Sequence, residues 1–311
     1  MLNRRHLRIR VLQFVYSWNK SKNVDLAIFE KQFRKSLNKV DELYLYLLLL
    51  MIELRDFAIN YQEDAKNKKL PTSDDLNPNP KFIENLFLEK LKEDSSLLSR
   101  INSYKLSFAD HQPLIKSIFF KIKDSEVFKE YMTSSNTNFQ DDKKFVVQLF
   151  SKLLIEMESL QDFLCEKNMF WDDDLPFISS MIVKTIKDST PSKLALLPLF
   201  KNQDDQQFSI NLLRHTIVNF DEFSELIDEK TQNWEIERVA QIDLILMQMA
   251  LAELLKMPHI PVKVSINEYL ELAKYYSTSN SKSFVNGILD NILSDLKEKR
   301  LIKKIGRGLI E

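Results

Sequence analysis

The sequence predicts an all-α protein, and three observations carry that expectation. The 311 residues contain only three glycines, Gly287, Gly306 and Gly308. Apolar residues recur at helical spacing through most of the chain. Pro, Asn and Ser, rather than Gly, break the pattern. A chain with so few left-handed turns suits neither a β-sandwich nor a Rossmann fold.

The elements follow in order. In a first helix, residues 3–19, Leu7, Val11, Phe14 and Trp18 share one narrow face and form the expected core stripe. Arg5, Arg8, Leu12 and Tyr16 fall towards another face. Asp25 begins a second helix with Leu26, Phe29, Phe33 and Leu37. A third runs from Asp41 to about Lys69. Its run LYLYLLLLMI (43–52) is too short to span a bilayer and ends at Glu53, Arg55 and Asp56, so a buried helix is expected. PTSDDLNPNP (71–80) is a break, because its prolines cannot occupy a helix interior. Helices at 81–92, 95–105 and 111–123 lead to a second break at TSSNTN (133–138). Another helix is expected from Asp141 to Lys167, and WDDDLP opens the next with acids suited to a helix start.

From Phe208 to Lys230 and from Trp234 to Met257 the chain is strongly amphipathic. Pro258 and Pro261 bound a linker. Ser265 and Glu268 have capping-box spacing for a helix from Ile266 to Tyr276. The polar loop 277–283 leads into a last helix whose inward residues are Val285, Ile288, Leu289, Ile292 and Leu296. Residues 145–171 also align without a gap on 208–234, matching Phe145 with Phe208 and Trp171 with Trp234. A duplication and a shared amphipathic rhythm both account for this.

Net charge is −1, so there is no global nucleic-acid signature. The ends are locally basic: Arg4, Arg5, Arg8, Arg10, Lys20 and Lys22 at the start, and Lys297, Lys299, Arg300, Lys303, Lys304 and Arg307 at the close. Charge alone leaves a solvated surface and a polyanion site equally open. Cys165 is alone, which excludes an intrachain disulfide, suits a reducing cytoplasm and points to a packed thiol. The N-terminus lacks the apolar core of a signal peptide.

Enzyme signatures are absent. No Gly-rich loop precedes Gly287, so neither a P-loop nor a dinucleotide fingerprint can be drawn. His6, His111, His215 and His259 are scattered without metal-ligand spacing. No catalytic residue, metal or cofactor is expected. The first helix is the better candidate for function. Guanidinium groups of Arg5 and Arg8 suit phosphate, and Tyr16 offers a flat partner for an unstacked base. A packed Tyr16 with solvated arginines is the plain alternative. SKSFVNGILD adds a second candidate: Ser281 or Ser283 can cap the last helix, Lys282 adds charge and Phe284 an aromatic ring. Gly287 costs about 1 kcal/mol relative to Ala in a helix, which points to close backbone approach by the first helix.

These motifs resemble the NusB family. The shared parts are the basic helix ending in LQFVYSW, then IP-x-x-V-x-INE-x-x-ELAK at 260–274 and FVNG-x-LD from Phe284, covering roughly residues 1–36 and 206–296. The resemblance implies an all-α fold of two packed helical bundles. The segment 37–205 is then a helical insertion enlarging the first bundle, and 206–311 the helical core and C-terminal bundle. It also implies a cytoplasmic transcription antitermination factor that binds boxA-type single-stranded RNA. Its partners would be NusE, a small-subunit ribosomal protein, and the transcription elongation complex on ribosomal RNA operons. Carried over, the RNA-binding residues are Arg4, Arg5, Arg8, Tyr16, Lys282 and Phe284. His6 stands where the family often has Arg, Asn280 where it is often acidic, and Lys282 is shifted by one from the usual Lys-Phe pair. Two other readings are a helical protein-interaction adaptor without RNA binding and a NusB-like domain fused to a ribosomal RNA methyltransferase. The second needs a Gly-rich cofactor loop and a catalytic Cys in an α/β domain, and the sequence up to Glu311 shows neither.

Overall fold

A computed structural model describes residues 2–21, 25–135, 138–231 and 240–309. The described residues form fifteen α-helices and no strand, so the protein is all-α. The chain divides into two compact units, Met1–Leu37 with Phe200–Glu311, and Asn38–Leu199. The sequence-based boundaries were 37 and 205.

In the first unit, α1 (Arg4–Ser21) packs against α11 (Gln203–Val218) and α13 (Gln241–Lys256). α12 (Phe220–Thr231), α14 (Val262–Tyr276) and α15 (Ser281–Glu298) complete it. α13 is the centre, because its run ILMQMALAEL is buried on every side. Such a helix has no polar face to show water. α15 packs on α12, α13 and α14, and its five expected inward residues, Val285 to Leu296, are all buried.

The second unit is built around the long apolar part of α2 (Leu26–Lys66), where Leu43 to Ile52 are all buried. Polar edges of this helix are satisfied within the unit: Tyr44 and Thr185 hydroxyls lie 2.6 Å apart, and Trp171 Nε1 donates to the Lys39 carbonyl at 2.9 Å. Around it lie α3 (Ser73–Leu76), α4 (Leu86–Glu93), α5 (Ser95–Ser103), α6 (Gln112–Asp124), α7 (Glu126–Thr133), α8 (Phe139–Leu149), α9 (Glu158–Lys167) and α10 (Trp171–Asp188).

Several local expectations are corrected. The second and third predicted helices are one continuous α2. No Gly or Pro lies between Leu37 and Asp41, and Lys39 and Glu42 pair across that turn at 2.6 Å. The expected helix from Asp141 to Lys167 is instead split by a wide π turn at Phe150–Leu154, which buries both of those residues. The segment Phe208–Lys230 breaks at Asn219, whose amide side chain donates to the His215 carbonyl at 2.7 Å. Ser265 does not cap a helix. It lies inside α14, which begins at Val262 after Pro261. Cys165 is exposed rather than packed.

With Phe145 set on Phe208, Leu154 falls on Ile217 and Leu160 on Phe223, all six buried. Asn219, between α11 and α12, then falls on Glu156, between the π turn and α9, although the π turn itself falls within α11. Trp234, the partner expected for Trp171, lies outside the described residues, as do Asn136 and Thr137 of the second predicted break.

Candidate nucleic-acid interface

α1 starts with an unusual charge pattern. Asn3 caps it: its Oδ1 accepts the His6 backbone N–H at 3.0 Å and faces His6 Nδ1 at 2.7 Å. The first turn then carries Arg4 and Arg5 and no acid. Cations at the positive end of a helix are unfavourable by a few tenths of a kcal/mol to about 1 kcal/mol each unless anions face them. Here the anions come from other helices. Arg4 Nε donates to Asp205 on α11 at 3.0 Å and its guanidinium lies 5.0 Å from the Phe208 ring centre. Arg5 makes a bidentate pair with Glu268 on α14, 2.8 and 3.0 Å.

Arg8 is different, because the structure buries it. Its side chain is 2 % exposed. It donates to both carboxylate oxygens of Glu253 on α13, at 2.6 and 2.9 Å, and Phe208 and Tyr269 flank it. Glu253 also accepts from the Ser265 hydroxyl at 2.7 Å and from the Tyr269 hydroxyl at 3.1 Å. Four donors thus satisfy one fully buried carboxylate, the condition under which a buried charge is tolerated. Burial raises the Tyr269 phenol well above its ordinary value, keeping it a neutral donor. Arg8 is thus held in this core, and it borders an open pocket shared with Arg4 and Arg5.

Glu268 links the buried pair to the surface, since it also faces Arg8 Nη1 at 3.5 Å. The hydrogen bond from Arg5 holds its carboxyl below the ordinary range. One turn on, Glu271 of α14 accepts from Lys282 of α15 at 3.0 Å. Positions three apart share a helix face, so α14 draws Arg5 and Lys282, at opposite ends of the sequence, towards one patch. The Lys282 bond likewise lowers the Glu271 carboxyl. An open pocket of about 360 Å³ lies beside this patch, lined by Asn3, Arg4, Arg5, Ile260, Pro261 and Val264 among others.

Tyr16 is exposed on α1, with Lys20 Nζ 5.5 Å from its ring centre. Eleven residues of helix put it about 16 Å along the axis from Arg5 and within about 20° of the same side. Between them, Leu12 is buried, so that side is not a continuous solvent face. Phe284 is half-buried near the start of α15. The close approach expected at Gly287 is absent, because a Cβ there would meet open space. Neither Ser281 nor Ser283 is the cap of α15. Asn280 holds that position, and the Ser281 hydroxyl is turned inward to Asp243 at 2.7 Å.

Sequence reasoning took Glu268 for a capping residue and did not single out Asp205 and Glu253 as partners of the arginines. Glu253 had left a signal: a lone carboxylate in an apolar helix requires a buried partner.

A model described as the NusB family matches residues 180–294. That stretch contains Lys282 and Phe284 but not the first helix. "Transcription antitermination protein NusB" of Salinibacter ruber is 44 % identical over 117 residues, 38 % of this chain and 73 % of that protein. The protein of the same name from Chloroherpeton thalassium is 42 % identical over 106 residues, 34 % of this chain and 50 % of the relative. That from Natranaerobius thermophilus is 35 % identical over 99 residues, 32 % of this chain and 71 % of the relative. No solved structure matches the chain. With nearly three quarters of one relative covered at this identity, and with the matched helices forming the core that holds Glu253, Glu268 and Lys282, the chain belongs to the NusB family.

Proposed function

We propose that this protein is an RNA-binding transcription antitermination factor. It binds boxA-like single-stranded RNA together with NusE and keeps RNA polymerase processive on ribosomal RNA operons. The observation that carries the reading is its likeness to proteins named for transcription antitermination. The patch adds chemical support: Arg4, Arg5 and Lys282 can exchange their carboxylate partners for phosphate, while Tyr16 and Phe284 offer rings for unstacked bases. Arg8 serves by fixing α1 on α13 and α14. All the residues of this proposed surface belong to the first unit.

One observation favours a second reading, an adaptor of the same fold without RNA binding. Each of Arg4, Arg5, Arg8 and Lys282 is already paired with an acid. Anisotropy of a labelled boxA-like RNA, with and without NusE across a salt series, separates the two. Salt-sensitive binding strengthened by NusE supports the first reading. NusE binding that is indifferent to RNA supports the second.

A further inference from the structure

A run of cations in the first unit lies on the C-terminal tail, beyond the stretch matched by the family. Lys299, Arg300, Lys303 and Arg307 are exposed. Among the described residues none of the four forms a side-chain ion pair, in contrast to Arg4, Arg5, Arg8 and Lys282. Of the acids nearby, Asp295 is paired with Lys230, and Glu298 is exposed on the last turn of α15.

The tail is fixed rather than frayed. Leu301 N–H closes on the Leu296 carbonyl at 2.9 Å. Lys304 then turns inward, and its ammonium donates to the carbonyls of Glu253 and Met257 at 3.2 and 3.0 Å. It satisfies the free carbonyl end of α13, where a cation is also favoured electrostatically. Ile305 N–H donates to the Pro258 carbonyl at 3.1 Å. Gly308 lies so close to Pro258 that a Cβ would fall 2.0 Å from that carbonyl oxygen. Pro258 is two residues before Ile260, which lines the pocket shared with Arg4 and Arg5. Glu253 thus holds Arg8 by its carboxylate and Lys304 by its carbonyl. The tail and the start of α1 are fastened to the same end of α13.

We propose that the segment from Lys299 to Arg307 is a phosphate-contacting arm that extends the RNA surface from the pocket at the start of α1. This rests on the RNA-binding reading above. An anchored segment with exposed cations before and after its anchor suits the repeating charges of a single strand. Lys304 is the anchor. Lys299, Lys303 and Arg307 make the contacts.

The test uses the full chain, NusE and a labelled boxA-like RNA across a salt series. The tail variant combines Lys299→Gln, Lys303→Gln and Arg307→Gln. The control combines Lys31→Gln, Arg34→Gln and Lys35→Gln, exposed positions on α2 that remove the same charge. The tail variant should lower the log–log salt slope by about 2, at about 0.7 per lost phosphate contact, and the control should leave it unchanged. RNA binding with an unaltered slope in the tail variant overturns the arm and leaves the RNA-binding reading standing. So does an equal fall in both variants, which would mark a general charge effect. Loss of NusE binding with the RNA slope intact makes the tail a protein surface and also overturns the proposal. Failure of the unmodified protein to bind the RNA sinks the reading and the arm together.

Discussion

Arg8 and Glu253 stand 245 positions apart in the chain and meet in a solvent-free bidentate pair, at 2.6 and 2.9 Å. Removing one partner leaves a buried charge uncompensated. Arg8→Ala should therefore destabilise the fold by about 3–5 kcal/mol. Arg8→Lys keeps the charge but loses the fork, and should fall between. Urea midpoints measure both, and the loss should persist at high salt because the pair is screened from it. An unchanged midpoint for Arg8→Ala would refute the structural role.

Tyr16 and Arg5 should fail in different ways. Tyr16→Ala should weaken RNA binding by about 1–3 kcal/mol with the salt slope unchanged, as expected for lost stacking. Arg5→Gln should lower the slope by about 0.7. If both variants bind as the unmodified protein does, α1 is not part of an RNA surface.

Glu268 competes with RNA for Arg5 in this arrangement. Glu268→Gln should tighten RNA binding by about two- to fivefold, the scale of an exposed ion pair. Weaker binding, with the fold intact by circular dichroism, would mean that Glu268 orients Arg5 rather than competing for it.

Gly287→Ala should stabilise the protein by about 0.5–1 kcal/mol, since the helix gains a better former and the added methyl meets nothing. A lower melting temperature would restore the idea of a close approach there.

His6 gives a pH dependence of defined sign. Burial first, then the neighbouring Arg5 charge, lowers its value from 6.5 to about 4. The unfolded chain therefore binds a proton at His6 over a range in which the folded protein does not. The resulting stability is fully present above pH 6.5 and is lost as pH falls towards about 4. Melting curves of the unmodified protein and His6→Asn should diverge over that window. Parallel curves would show that His6 is not held neutral.

The helices were legible because burial leaves a period. Val285, Ile288, Leu289, Ile292 and Leu296 share one face in the sequence and are all buried. The continuity of α2 through Asn38 was not legible, since a shift in the apolar stripe looks like a break when no Pro or Gly marks it. Ser265 misled for another reason: its spacing to Glu268 satisfies a local capping rule, while its hydroxyl is used by the distant Glu253. Arg8 shows the same limit. A sequence displays a guanidinium and a periodicity, but not the carboxylate that long-range packing brings to it. The candidate surface was therefore readable as a set of residue types, and the division between buried and accessible members was not.

The Arg8–Glu253 pair also sets a timetable during synthesis. α1 emerges long before α13, so its guanidinium lacks Glu253 until the ribosome has added those 245 further residues. At about 5–20 residues per second that wait is roughly 10–50 s. Residues 38–199 are complete before Glu253 exists and have time to collapse as their own unit. A nascent chain halted before Glu253 would carry a basic, aromatic helix without its core, a segment suited to chaperone capture.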